Sequence, residues 1–411
     1  GPAVAGVGYF TDTSGSAFNV TLPASPSAGA VIAVADYANN WNTNAVTLLR
    51  NGSNIEGDAA DFVCNQQGAA ITFVYVDATK GWVTTDTGNS SDAFGQTFII
   101  ATGGTVTCVG NDKIHTFTGP GTFCVSQASN CATNNVVSHL VIGSGGGGGN
   151  KRAGGGGAGG FREVSSPSAP YTASPLDGYP SAPNRVTVTA QPYTIVVGGG
   201  GVGGIASGST CNVGTASTPG NVSTFATITS AGGGTGGGVS PNAGPNGSGG
   251  PGGSGGGGFA GAGPSTPFPA STVGGVGNTP PVGPAQGFDG GVSRTSPDPT
   301  GQAGGGGGAA AIGKNGNDPG GSDGNGGAGA STEITGSAVT RGGGGGSGSR
   351  SSGGVATSGG AGGGGAGSPT GNGTNGTANT GGGGGGMSDT PCASSGIGGS
   401  GIVIIRYKFQ N

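Results

Sequence analysis

Apolar and polar residues alternate with a period of two in short stretches over the first hundred residues, and turn-forming pairs separate the stretches. Residues 8–11, 18–22, 30–37, 45–49 and 70–76 read as strands, with Asn39-Asn40 and Asn51-Gly52 as turns between them. The 81–83 stretch (GWV) reads as a further strand with Trp82 packed on it. Residues 84–110 mix polar turns with short strands and read as a connector. From Asp112 a second unit opens with a hairpin-like pair, 113–117 and 121–125, across 118–120. Beyond residue 135 the pattern changes. A short β-rich stretch is followed by consecutive glycines: 136–142 (VVSHLVI) precedes 145–149, 186–197 precedes 198–201, and 225–229 precedes 232–234. The chain closes on GIVIIRYKF at 401–409, rich in β-branched and aromatic residues. The terminal strand 402–407 is expected to pair back onto the unit that opens at Asp112. The pattern predicts an all-β chain with a small N-terminal β domain over 1–85, a connector over 86–111 and a glycine-rich domain over 112–411.

The glycine runs set the physical problem. Of 106 glycines only 14 precede residue 111. Glycine buries no side chain and loses the most backbone entropy on folding, so such a chain either stays disordered or packs backbone on backbone. Flexible linkers lack apolar alternation, whereas here strand-like stretches flank the runs. This favours order. The arrangement expected is polyglycine II, an extended left-handed helix of about three residues per turn and about 3.1 Å rise. Without Cβ atoms such segments lie side by side and bond N–H to C=O between neighbours, with Cα–H···O contacts adding a smaller contribution. Collagen is the competing geometry. Glycine does recur every third residue over 244–256, but the period fails elsewhere. Long Pro-rich and polar excursions separate the runs at 161–185, 259–300, 309–341 and 366–380.

Composition excludes several functions. Charged residues are 7% and net charge is −4, which argues against nucleic acid and against an anionic membrane. No apolar stretch approaches the roughly 18 residues of a membrane span, and Gly1-Pro2 reads as a processing or cloning remnant. The cysteines lack C-x-x-C spacing, and only two histidines, His115 and His139, accompany them, so neither a metal site nor a cofactor is expected. Cys124 and Cys131 bracket a six-residue loop, as a hairpin disulfide would, with free thiols as the alternative. GAAAIGKN at 308–315 lacks the Ser or Thr that a P-loop carries after its Lys, and GGSGG at 252–256 lacks the strand that precedes a nucleophile elbow. The two histidines read as packed or solvated. Carboxylates such as Asp289, Asp298, Asp318 and Asp323 fall without a calcium-loop spacing. No enzymatic activity is expected.

Two stretches resemble bacteriophage tail fibres. Residues 19–83, from NVTLPASPSAGAVIAVADYANNW through VTLLRNGSNIEG to ITFVYVDATKGWV, are similar to a small β domain of phage fibres. FTGPGTFCV, the HLVIGSGGGGG junction and the closing GGSGIVIIRY resemble glycine-rich domains at the tips of phage fibres and adhesins. The resemblance implies a homotrimeric virion protein that associates with other tail or fibre proteins and displays inter-run loops to a host-cell receptor, a polysaccharide or an outer-membrane protein. A capsid-attached fibre or decoration protein, a secreted glycine-rich cell-surface protein and a depolymerase are the alternatives. Candidate receptor contacts are the aromatics and arginines of the excursions: Phe161, Arg162, Tyr171, Tyr179, Phe259, Phe268, Phe288 and Arg294, with Arg185 as a further polar partner. The competing reading is that these aromatics plug the ends of the domain.

Overall fold

The computed structural model describes residues 1–89, 97–207, 213–239, 247–260, 272–293, 301–316, 324–349 and 355–410. The chain divides into two units, Gly1–Thr97 and Phe98–Asn411. It is nearly all-β. Among the described residues the helical pieces are two 3₁₀ turns, Ala132–Asn135 and Ala182–Asn184, and no helix is long and apolar enough to cross a membrane.

The first unit contains β1 (Val7–Thr11), β2 (Phe18–Thr21), β3 (Val31–Asp36), β4 (Val46–Leu49), β5 (Phe62–Cys64), β6 (Ala69–Asp77) and β7 (Gly81–Asn89). They form two sheets, β1-β3-β6-β7 and β2-β4-β5. The period-two pattern of β3 buries Ile32, Val34 and Asp36 on one face, and the core adds Leu22, Trp41, Leu48, Phe73 and Trp82, all fully buried. Asp36 is tolerated there because its carboxylate accepts from the amides of Asn40, Trp41 and Gly68 at 3.1, 3.0 and 2.9 Å. At the tight return into β7, Gly81 has φ +71°, and a Cβ there would lie 1.8 Å from the Asn54 carbonyl oxygen. The strands expected at 8–11, 18–22, 30–37, 45–49 and 70–76 are all present.

The second unit contains β8 (Ile100–Thr102), β9 (Thr105–Val109), β10 (Asp112–Phe117), β11 (Gly121–Gln127), β12 (Val136–Ile142), β13 (Phe161–Val164), β14 (Val186–Thr187), β15 (Pro192–Val196), β16 (Ile205–Ser207), β17 (Val213–Thr215), β18 (Ser223–Phe225), β19 (Ile228–Ser230), β20 (Ala330–Thr332), β21 (Val339–Arg341) and β22 (Ile402–Lys408). The connector expected over 86–111 is not a connector. Its first residues complete β7, where Asn89 pairs with Ala69, and β8 and β9 belong to the second unit. Residues 105–109 (TVTCV) alternate in sequence, but 105–108 are all exposed, so no buried face accompanies the pattern. The terminal strand pairs back as expected: β22 lies between β12 and β10 in the order β13-β12-β22-β10-β9. The hairpin expected from 113–117 and 121–125 does not form. After 118–120 the chain crosses to a second sheet, β19-β18-β15-β11-β8. Val137, Val141, Val403, Ile405 and Tyr407 then meet Phe123, Val125, Ile195 and Phe225 in one core, while Leu140, Ile142, Ile402 and Ile404 face a second core with Phe161 and Ile334. Burial on both faces explains why β12 and β22 carry apolar residues at consecutive positions rather than in alternation.

The glycine runs form a lattice of polyglycine II segments. Along 145–149 the amides of Gly145 and Gly148 donate to Gly399 and Gly396, those of Gly146 and Gly149 to Gly157 and Gly154, and that of Gly147 to Thr218. Bonds to one neighbour thus recur every third residue, the repeat of a three-residue turn. None of these five glycines has φ in the positive range, which makes the turn left-handed. The segment 153–160 is surrounded on all sides. It donates to 231–237, 304–307 and 381–384, and accepts from 143–149, 254–257 and 345–348. Around those six lie 198–204, 217–222, 247–252, 272–277, 287–293, 311–316, 324–329, 355–361, 363–367, 371–377 and 394–401, each bonded to the inner ring. Such contact requires bare Cα positions. A Cβ at Gly154, Gly155 or Gly156 would lie 2.0, 2.0 or 2.1 Å from a neighbouring carbonyl oxygen, so the hydrogen in its place points at that oxygen. Residues 143–150 and 153–160 are all buried, and their amides are satisfied by main chain where other proteins would use side-chain packing.

Candidate functional site

Successive segments reverse direction, so the lattice has two ends. The strands gather at one. β12 leads into 143–149, β13 leaves 153–160, β15, β19 and β21 lead into 198–204, 231–239 and 342–349, and β22 leaves 394–401. Phe98 and β8, where the chain comes into this unit, belong to the same end. At the other end lie 150–152, the β16–β17 hairpin and 389–393. The ends of the connections 240–246, 261–271, 294–300, 317–323 and 350–354 are there too, since Val239 bonds to Asn150, Ala260 to Arg152, Thr272 to Phe259, Gly316 to Val292 and Gln302 to Val355.

The structure does not bring together the six candidate contacts that lie among the described residues. Phe161 is 1% exposed and belongs to the core. Arg162 is half-buried and donates from Nη2 to Asn184 Oδ1 at 2.7 Å and from Nη1 to the Thr229 carbonyl at 3.3 Å. Its burial lowers the guanidinium pKa. Tyr171 donates to the Val164 carbonyl at 3.2 Å, beneath the Arg406 guanidinium 5.3 Å from its ring centroid, and burial pushes its hydroxyl pKa well up. Tyr179 stacks under Arg185 at 4.3 Å and is half-exposed. Phe288, 36% exposed, begins 287–293. These five lie at the strand end. Phe259 lies at the loop end but is 1% exposed, so it is lining rather than contact. Phe268 and Arg294 lie outside the described residues. Phe161 and Phe259 are buried, and Tyr171 packs partly buried against the core that contains Phe161.

The excursion 161–185 is fastened down. Glu163, buried in β13, accepts from the Ser174 amide at 2.9 Å and from the hydroxyls of Ser174 and Thr332. Asp177 accepts from the amides of Ser165 and Tyr179 at 3.0 and 2.9 Å. The Arg406 guanidinium, held by Asp112 through Nε at 2.9 Å and Nη2 at 2.7 Å, also reaches the Pro170 carbonyl at 3.2 Å. Both histidines are packed. His115 bonds to the Gly103 carbonyl at 2.7 Å and to the Tyr407 hydroxyl at 3.0 Å, and burial depresses its pKa. Burial brings His139 down to about 3.

The loop end is also pinned, by residues that composition did not reveal. Lys151 and Arg152 have φ of 49° and 46°, a left-handed pair that costs roughly 1–2 kcal/mol per residue and turns 143–149 back into 153–160. Arg152 donates from Nε and Nη2 to Asp389 Oδ2 at 2.9 and 2.7 Å, and Lys151 Nζ lies 3.8 Å from Asp389 Oδ1, which offsets that cost and ties two connections together. Cys124 and Cys131 are unlinked thiols rather than a disulfide, since Cys124 points to solvent from β11. In the P-loop-like stretch, the amides of Gly308, Gly313 and Lys314 are taken by the carbonyls of Ala311, Asp289 and Asn325, leaving no cradle for a phosphate. Among the described residues no group of three or more His, Cys, Asp and Glu stands close enough to hold a metal ion.

Residues 116–408 match the family model of the glycine-rich domain, and the chain belongs to that family. No curated protein matches it.

Proposed function

We propose that the chain is a fibre-borne adhesin of a bacteriophage, a homotrimeric structural protein whose loop end meets a receptor on the host cell. The observation that carries this reading is the difference between the two ends. The strand end, where the chain comes in, holds the packed strands and a fastened excursion, and the opposite end receives the ends of 240–246, 261–271, 294–300, 317–323 and 350–354. A lattice bonded through main chain fixes the ends of each connection whatever its sequence, so recognition can change without refolding the support. Rigid ends also reduce the ordering cost of binding. The resemblance of 19–83 and of the glycine-rich body to phage fibre modules supports the fibre assignment, and the low charge agrees with a surface that recognises without long-range attraction.

The test is adsorption of the full chain to a panel of bacterial cells. Replacing 261–271 or 294–300 by Gly-Ser sequence of equal length is expected to abolish adsorption, while Tyr179→Ala and Phe288→Ala at the strand end leave it unchanged. Adsorption that survives every loop-end replacement and falls with the strand-end variants overturns the orientation. A monomeric mass by light scattering removes the trimer.

A further inference from the structure

The outer segments of the lattice face water on one side, where a further segment would find partners if two conditions held. Its backbone would need bare Cα positions to approach, because a Cβ between segments lies about 2 Å from a carbonyl, as at Gly256 against Thr235 (1.8 Å) and Gly275 against Gly250 (1.9 Å). It would also need free outward amides. On the face made by 272–277, 287–293 and 311–316, joined by Gly290 N to Gly275 O at 3.0 Å and Gly316 N to Val292 O at 2.9 Å, the first condition is not met and the second is met only in part. Val273 and Val276, three residues apart and so on one side of the segment, are each 61% exposed. Ile312 is 57% and Val292 38% exposed. The outward amide of Val292 donates to Asn315 Oδ1 at 2.8 Å and that of Gly277 to Asp289 Oδ1 at 2.7 Å. Elsewhere on the rim the same device recurs at the lattice repeat, where Asn372 and Asn375 take the amides of Ser394 and Ile397, each at 2.9 Å.

We propose that this face is an interaction surface for a polyglycine II segment of a second copy of the chain, kept closed by its β-branched side chains and by the carboxamide and carboxylate that occupy some of its amides. The lattice has no internal limit on its width, since each segment offers donors and acceptors on all sides. What ends it is the residue at the outward position of each third step. Exposed sheet edges are protected against the same hazard by side chains that deny pairing.

The experiment uses the full chain with V273G, V276G, V292G and I312G combined, measured by multi-angle light scattering and sedimentation over a hundredfold range of concentration. The expected result is a mass at least twice that of the unmodified protein and rising with concentration. A second variant, V273T/V276T/V292T/I312T, keeps every Cβ while removing apolar surface and is expected to retain the unmodified mass. If the fourfold glycine variant does not melt cooperatively, V273G/V276G alone carries the same expectation. A cooperatively folded glycine variant at the unmodified mass overturns the proposal. So does a threonine variant that falls below the unmodified mass, because the valines would then be an adhesive contact.

Discussion

Gly156→Ala tests the lattice where it is most enclosed. The added methyl carbon would lie 2.1 Å from the Gly146 carbonyl oxygen, 2.8 Å from its carbon and 3.0 Å from that of Gly147, all backbone. Relief to ordinary contact requires a displacement of about 1 Å or more, against six neighbours that have no side chains to rearrange. Such a shift breaks the bond from Gly156 N to Gly384 O, 2.8 Å, or from Gly146 N to Gly157 O, 2.9 Å. Leaving a buried donor or acceptor unmet costs about 1–3 kcal/mol, and overpacking strain adds about 1–3 kcal/mol. The sum, about 2–6 kcal/mol, is a large share of the ~5–15 kcal/mol that holds a typical domain. At ~2–4 °C per kcal/mol for a large domain the midpoint falls by about 4–24 °C. Gly199→Ala is the control. A Cβ there meets nothing within 4 Å and φ is not positive, so the loss of unfolded-state entropy alone predicts a gain of ~0.4–1 kcal/mol. Differential scanning calorimetry on the full chain compares the two. Midpoints within about 2 °C of each other would mean that the segments are not packed on one another, and the account of the interior would fail.

Three further outcomes follow from particular residues. His139 is neutral when folded, with a pKa near 3 against 6.5 for the free side chain. The unfolded chain therefore binds the extra proton, and this contribution to stability is complete above about pH 6.5 and is lost as pH falls towards 3, by up to ~1.4 kcal/mol per pH unit. Urea midpoints at pH 7, 5 and 4 should fall more steeply for the unmodified chain than for His139→Gln, and equal slopes would contradict this. A thiol reagent should label Cys124 and Cys131 in the folded protein but spare Cys64, buried with its pKa pushed up to about 12, and a peptide linking Cys124 to Cys131 under non-reducing conditions would refute the free thiols. N372A/N375A should speed hydrogen exchange at Ser394 and Ile397 while costing only ~0.5–1.5 kcal/mol per lost bond, and unchanged exchange would remove the carboxamides from the rim.

Much of the architecture could be read from residue order. The five strands of the first unit carry a period of two, and 136–142 and 402–407 are mostly apolar on both faces because both faces are covered. The inner segments are marked by unbroken glycine, since every direction there meets backbone. Several outer segments, 272–277, 287–293, 311–316, 324–329 and 371–377, fall within the Pro-rich and polar excursions. In NGTNGT at 372–377, glycine appears at every third residue. Gly373 and Gly376 face the inner segment 381–388, Thr374 accepts from the Ala366 amide, and Asn372 and Asn375 serve 394–401. One side needs a bare Cα and the other two do not, so the signal is a threefold phase rather than a run. The candidate contacts failed for a different reason. An aromatic between two runs gives no sign of which end of a segment it follows, and that parity decides between Phe161 in the strand-end core and Phe259 at the loop end. Nor does sequence bring Lys151-Arg152 to Asp389, whose meeting depends on where each segment falls in the array.

The innermost segment, 153–160, is also among the first of the array to be synthesised. The six strands of backbone that enclose it are drawn from residues 143 to 388, and the strand that locks β12 to β10 is made after all of them. A nascent chain therefore carries its own centre unwrapped for most of translation, waiting for partners hundreds of residues downstream. Contacts of such separation in sequence make for slow assembly, and the interval before closure is when neighbouring copies on a polysome are most exposed to each other's unpaired amides.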